Sequence, residues 1–213
     1  MKGQTEVLSA VLLSGILIGV VGSVYFWGIP LIQKNKDNAL LESSETFMTT
    51  LDEKIKFVAN NGGRDKVVIN VPSIVRFDGQ SLELSLETEG TIYAVDAPIQ
   101  LGRTSSSNLK WCTPNTQPAC DPPSPYGSWG IDDPVLFTVK STEISQNSYT
   151  TYYTLDYIEL RNDNTLRDYK IELTGSGTSG GFEKTIVIEN QGDSTTVRNG
   201  RTLISSVVKI SIV

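Results

Sequence analysis

Histidine is absent from this 213-residue chain, and cysteine occurs only twice. Without histidine there is no His-based catalytic triad, no HExxH metalloprotease helix and no Cys/His zinc module. Two cysteines cannot build a four-thiolate metal site. Basic residues are also short: 18 Lys and Arg face 24 Asp and Glu, a formal net charge of −6. A nucleic-acid binder needs cations to displace phosphate counterions, and an arm lying on anionic lipid needs them too, so neither class fits. There is no GxSxG, no P-loop and no GxGxxG. No N-x-[ST] acceptor occurs, which removes sequon-type N-glycosylation. Carboxylates that could pair (Asp121, Asp132 and Asp133; Asp156 with Glu159) read as solvated turn residues. The turn Asn162-Asp163-Asn164 lacks the terminal Glu of an EF-hand loop. No catalytic, cofactor-binding or metal-ligating residue is predicted, and the chain is read as non-enzymatic.

Charge is missing locally as well as in type. From Val7 to Gln33 there is no charged residue, a run of 27 dense in Val, Leu and Ile. As a helix at about 1.5 Å per residue it reaches roughly 40 Å, enough to cross a hydrocarbon core of about 30 Å. Residues 34–213 carry 17 basic and 23 acidic groups, so they hold the whole net charge. Three readings of the run compete: a secretory signal peptide, a simple transmembrane anchor, and an anchor that doubles as an assembly helix. The first is disfavoured by a short n-region, by Glu6 at the mouth of the run, and by the lack of an A-x-A site after it. Within the run Gly15, Gly19 and Gly22 have i, i+4, i+7 spacing on one helix face. Small residues there permit the close backbone approach through which apolar helices associate.

The first residues point further. Lys2-Gly3 stands directly before Gln4-Thr5-Glu6, and the apolar run follows. This arrangement resembles the leader of type IV prepilins, especially the class III signal peptide of archaeal pilins and archaellins. The resemblance covers about the first 35 residues closely and the layout of the chain more loosely. It implies that a prepilin peptidase cuts between Gly3 and Gln4 and leaves the hydrophobic helix on the mature chain. It implies that Glu6 serves assembly by pairing with a neighbouring subunit's N-terminal amine, and that copies bundle through the helix into a filament. It also implies a membrane-held precursor and an extracellular product at the cell surface.

Pro30 predicts a bend or break near residues 27–30. Helix then resumes: Phe47, Leu51, Ile55 and Val58 form a stripe, with Asp52, Glu53, Lys54 and Lys56 on the other sides. Asn60-Asn61-Gly62-Gly63 ends it. Beyond lie strand signals. Ser81–Thr88 alternates Leu82, Leu84 and Leu86 with Glu83, Ser85 and Glu87. Further strands are expected at 66–71, 134–140, 149–160, 168–174, 182–190 and 201–213, with turns at Asp78-Gly79, Glu89-Gly90, Gly175 to Gly181, Gly192-Asp193 and Asn199-Gly200. The fold class is therefore α+β: a leader at 1–3, a long kinked helix at 4–61 with its transmembrane or assembly segment at 7–33, and an antiparallel β-sandwich head at 62–213.

Residues 102–133 stand apart, with five of the nine prolines and two of the three tryptophans. Cys112 and Cys120 lie here, and with no His or third Cys beside them a disulfide is the best reading, in an oxidising compartment. Trp111, Tyr126 and Trp129 are candidate surface contacts on the loop; packing of its own base is the plainer role. The counts of Lys and Arg flanking the apolar run do not orient it. The cysteine pair and 43 Ser and Thr place the head outside the cell. The expected function is a structural subunit of an extracellular type IV pilus-like filament, a homo-oligomer built through the N-terminal helix and suited to adhesion. It needs a prepilin peptidase and a membrane before assembly, with no cofactor and no nucleic-acid partner. The alternative is a non-polymerising membrane-anchored β domain: an archaellum stator-like anchor, a minor pilin or a tethered carbohydrate-binding module.

Overall fold

The computed structural model describes residues 2–101, 126–180 and 184–213, with side chains from residue 9 onward. Among the described residues one helix, α1 (Lys2–Asn61), precedes twelve strands. At about 1.5 Å per residue its 60 residues extend roughly 90 Å, far longer than the head they enter. The helix runs without interruption through Pro30, so the expected break at 27–30 is corrected. Proline removes a single N–H, and the hydrogen bonds before and after it carry the helix past. Its C-terminus is where the sequence places it: the Gly62 N–H donates to the Val58 carbonyl at 2.9 Å, and Gly62 and Gly63 take φ of 75° and 88°. Such left-handed angles favour glycine.

The strands are β1 (Arg64–Val68), β2 (Ile74–Phe77), β3 (Ser81–Thr88), β4 (Ile99–Leu101), β5 (Tyr126–Ser128), β6 (Val135–Ser145), β7 (Ser148–Tyr157), β8 (Glu159–Asn162), β9 (Arg167–Thr174), β10 (Gly177–Gly180), β11 (Thr185–Arg198) and β12 (Arg201–Ile212). They form two six-stranded sheets, β1-β11-β12-β9-β8-β5 and β10-β2-β3-β7-β6-β4. The second is antiparallel throughout. The first is mixed, because β12 lies parallel to β9 and β5 parallel to β8. That corrects the wholly antiparallel expectation, and the connectivity explains it. The chain between β9 and β12 visits β10 in the other sheet, and the chain between β5 and β8 visits the β6–β7 hairpin there. Each detour is the crossover that parallel neighbours require. Antiparallel pairs still dominate, and the described architecture is α+β.

A single apolar core unites three faces. The second sheet contributes Val75, Phe77, Leu82, Leu84, Leu86, Phe137, Val139, Tyr153 and Leu155. The first contributes Ile171, Leu173, Ile186, Ile188, Val208 and Ile210. The helix adds Leu41, Phe47, Met48, Leu51, Ile55 and Val58. Thus the amphipathic half of α1 meets both sheets, and each buried stripe is the one its period announces.

Gly175 marks where the chain leaves β9 for β10. Its φ is 108°, and a Cβ there would run into the Ile210 carbonyl oxygen, so the position demands glycine. Gly192 serves differently. The expected turn at Gly192-Asp193 is instead a β-bulge inside β11, where the register against β12 shifts between Asn190 and Gly192. The Asn190 Oδ1 accepts the Gly192 N–H at 2.6 Å, and glycine's positive φ lets the strand continue.

At the start of β12 the Arg201 Nε donates to both Asp168 oxygens, at 3.0 and 2.9 Å, and Nη1 reaches Asp163 at 3.0 Å. This guanidinium holds the Asp168 carboxyl below its usual range. A depressed carboxylate stabilises the fold above its unfolded value, and that contribution disappears as pH falls through the folded one. Arg201→Gln is therefore expected to lower Tm at neutral pH, with the gap from the wild type closing below about pH 4. Thermal melts at both pH values check this; a gap independent of pH would assign the loss to packing instead of charge.

Candidate assembly surface

The front half of α1 is bare. Leu12, Leu13, Ile16, Leu17, Val20, Val21, Val24, Tyr25 and Ile32 are all exposed, and Phe26 and Trp27 are 84% and 85% exposed. Exposed apolar area of this extent marks a surface that another apolar phase or protein covers. Among the described residues α1 is the one helix long and apolar enough to cross a membrane. Two of its hydroxyls are satisfied within the helix: Ser14 donates to the Ala10 carbonyl, and Ser23 to the Gly19 carbonyl at 2.8 Å. Neither demands water or a partner. Gly3, Gln4 and Glu6 lie within α1, and their side chains lie outside the described ones.

Gly15, Gly19 and Gly22 have nothing within 4 Å of where a Cβ would sit. The monomer therefore has no steric need of them. Their direction is fixed by the helix period. Gly15 and Leu51, Gly19 and Ile55, and Gly22 and Val58 are each separated by about ten full turns at 3.6 residues per turn. Leu51, Ile55 and Val58 face the head and are fully buried. On an ideal helix the glycine face thus continues the head-facing stripe.

The head grips the other half of the helix through polar contacts that the apolar pattern does not announce. The buried Tyr153 hydroxyl lies 2.9 Å from the Leu41 carbonyl and 3.0 Å from the Tyr93 hydroxyl, and Tyr93 donates to the Glu45 Oε2 at 3.0 Å. The two rings meet edge to face with centroids 5.9 Å apart. Burial pushes the Tyr93 hydroxyl up to about 12 and that of Tyr153 well above its ordinary value, so both stay protonated donors. At the C-terminus, Asn190 Nδ2 donates to the Val58 carbonyl at 3.0 Å and Ser206 Oγ to the Ala59 carbonyl at 2.7 Å. Two carbonyls of the last turn are thereby satisfied by the first sheet.

Between these ends, Asp52 and Lys56 depart from the expected solvent face. Asp52 is 8% exposed, accepts from the Tyr157 hydroxyl at 2.8 Å, and lies 2.6 Å from Lys56 Nζ. Lys56 also reaches Asp133 Oδ1 at 2.5 Å. Burial raises the Asp52 pKa, against the lowering influence of Lys56. Sequence reading missed this cluster because Asp133 is far along the chain. The one available signal was Tyr153 and Tyr157, four apart on one face of β7.

Of the remaining candidates, Trp111, Cys112, Cys120 and Asp121 lie outside the described residues. Tyr126 lies on β5 with the Arg161 guanidinium over its ring. Trp129 stacks on Tyr169, centroids 5.7 Å apart, and is 37% exposed. Each aromatic thus packs against a side chain of the first sheet. Asp132 and Asp133 do not converge: Asp132 Oδ2 accepts the Ser128 N–H at 2.6 Å, while Asp133 turns to Lys56. Glu159 turns to Arg161, 3.1 Å away, and so does not pair with Asp156. The Asn162 Oδ1 accepts the N–H groups of Asn164 and Thr165, both at 3.1 Å, so it closes its own turn.

The sequence matches no family model and no curated protein, and the fold matches no solved structure.

Proposed function

We propose that the protein is a structural subunit of an extracellular type IV pilus-like filament, assembled through the front half of α1. One observation carries this reading. A single helix is clamped into the head along its second half, whereas residues 9–32 are apolar, uncharged and largely exposed. An anchor needs that apolar length, but it does not need three open glycines in line with the docked stripe. Close packing of several copies does.

In this reading a prepilin peptidase cleaves between Gly3 and Gln4, and the freed helix passes from the bilayer into a bundle of its copies. Glu6 then meets a neighbour's N-terminal amine, since an isolated carboxylate in apolar surroundings is costly. A bend at Pro30 lets the bare half lean relative to the docked half. The two sheets close over the helix as a sandwich outside the cell. There the Cys112–Cys120 disulfide stiffens the 102–133 loop, and Trp111, Tyr126 and Trp129 give it adhesive or intersubunit contacts. Adhesion follows from display on the filament surface, with no turnover of substrate.

Mass spectrometry of the native N-terminus tests the proposal. The expected mature chain begins at Gln4 and is recovered from sheared surface filaments. A chain that begins at Met1 and stays in the membrane fraction refutes it in favour of a non-polymerising anchor.

A further inference from the structure

The Lys56 ammonium is held between two carboxyl groups, 2.6 Å from Asp52 and 2.5 Å from Asp133. Asp52 and Lys56 share a helix face four residues apart, whereas Asp133 belongs to the turn that leads into β6. The site is covered on one side: the Asp52, Lys56 and Asp133 side chains are 11%, 21% and 32% exposed, and the buried Tyr157 hydroxyl lies 2.8 Å from Asp52. The Val135 N–H donates to Asp133 Oδ1 at 3.2 Å and fixes the oxygen that Lys56 approaches. A plain surface ion pair needs neither the second carboxyl nor the tyrosine cover.

We infer that Lys56 and Asp133 condense into an intramolecular isopeptide bond, with Asp52 relaying the proton. The step balances without a co-reactant. The ammonium gives one proton to Asp52, which burial makes a stronger base than a solvated carboxylate. The freed lone pair on Nζ forms a bond to Asp133 Cγ, and one Cγ–O bond breaks. The departing oxygen takes the proton from Asp52 and a second from the nitrogen and leaves as water. Ammonium plus carboxylate thus becomes amide plus one water, with no change of oxidation state. Amine and acid free in solution do not condense at a useful rate. A held pair reacts with an effective molarity on the order of 10⁵–10⁸ M, which makes a slow, single-turnover bond formation feasible during maturation. The product ties α1 to the second sheet covalently, at the junction through which any pull on the helix reaches the head.

Intact mass spectrometry of the full chain, after reduction of cysteines, reads the outcome directly. The wild type is expected one water lighter than its sequence mass. Tryptic digestion should give a branched peptide joining Lys56 to Asp133, with no cleavage after Lys56. Lys56→Arg keeps the positive charge but cannot form the bond under these conditions, and it should appear at full mass. Asp52→Asn should also appear at full mass, and normal crosslinking in that variant would remove Asp52 from the reaction. A wild-type chain at full mass, cleaved after Lys56 and with Asp133 in an unmodified peptide, overturns the inference whether or not the variants fold. The mass of residues 4–213 is read against the same difference, so leader cleavage does not confound it.

Discussion

Gly19→Leu is expected to abolish filaments while leaving the chain in the membrane. The substitution adds apolar volume to an apolar helix, so insertion becomes more favourable by a few tenths of a kcal/mol. Helix propensity also improves, by about 1 kcal/mol over glycine. Nothing within 4 Å obstructs the new side chain in the monomer. Every contribution visible in a single copy is neutral or favourable, so a loss can only come from contact between copies. There the leucine forces the helix backbones apart, and each contact weakened by about 1.4 kcal/mol becomes tenfold weaker. A filament repeats that contact along its length, so the expected yield falls well below one tenth. Val20→Leu places the same side chain on another helix face, where it adds only one methylene, and is expected to assemble normally. Electron microscopy of sheared material, with immunoblots of the membrane fraction, separates the outcomes. Normal filaments from Gly19→Leu would show that the glycine face is not the contact between copies.

Much of this architecture was legible because burial and period coincide. In β3, Leu82, Leu84 and Leu86 are buried while Glu83 and Ser85 are half exposed and Glu87 exposed, so the alternation fixes both span and face. In α1 the stripe Phe47, Leu51, Ile55 and Val58 points where its spacing says. Legibility ends where backbone pairing acts without a side-chain pattern. Gly177–Gly180 reads as a loop, yet it pairs with β2 through main-chain groups alone. Ile99–Leu101 and Tyr126–Ser128 are three residues each, too short for alternation to register. Gly192 carries a turn signal, but the adjoining residues find a complete partner in β12, and the pairing absorbs the glycine as a bulge. The Asp52–Lys56–Asp133 cluster was illegible for another reason. A charged residue on an amphipathic helix reads as solvated unless the element that covers it is known. Here the cover is the turn that closes the proline-rich segment, distant in sequence from the helix.

The contrast between Leu51 and Leu17 tests how far the two halves of α1 act as separate parts. Both are leucines of one helix, yet Leu51 is fully buried among residues of both sheets and Leu17 is 56% exposed. Leu51→Ala removes apolar contact from the core and leaves a cavity that the two sheets and the helix cannot easily close. It is expected to cost about 3–5 kcal/mol. Total stability of a domain is about 5–15 kcal/mol, so the variant should unfold at a much lower denaturant concentration, with little change in slope. Leu17→Ala touches nothing in the head and should leave that midpoint unchanged. Equilibrium denaturation followed by near-UV circular dichroism reads mainly the packed aromatics of the head, because Tyr25, Phe26 and Trp27 on the bare half are exposed and have no fixed neighbours. A loss under about 1 kcal/mol for Leu51→Ala would mean that the helix only lies on the head and is no part of its core. A comparable loss for Leu17→Ala would mean that the bare half folds back on the head. With the expected pair of results, the second half of α1 belongs to the head's folding unit and the first half is free for another surface. Such a division is what the proposed filament requires, one part of the helix held in its own head and the other left for a neighbouring copy.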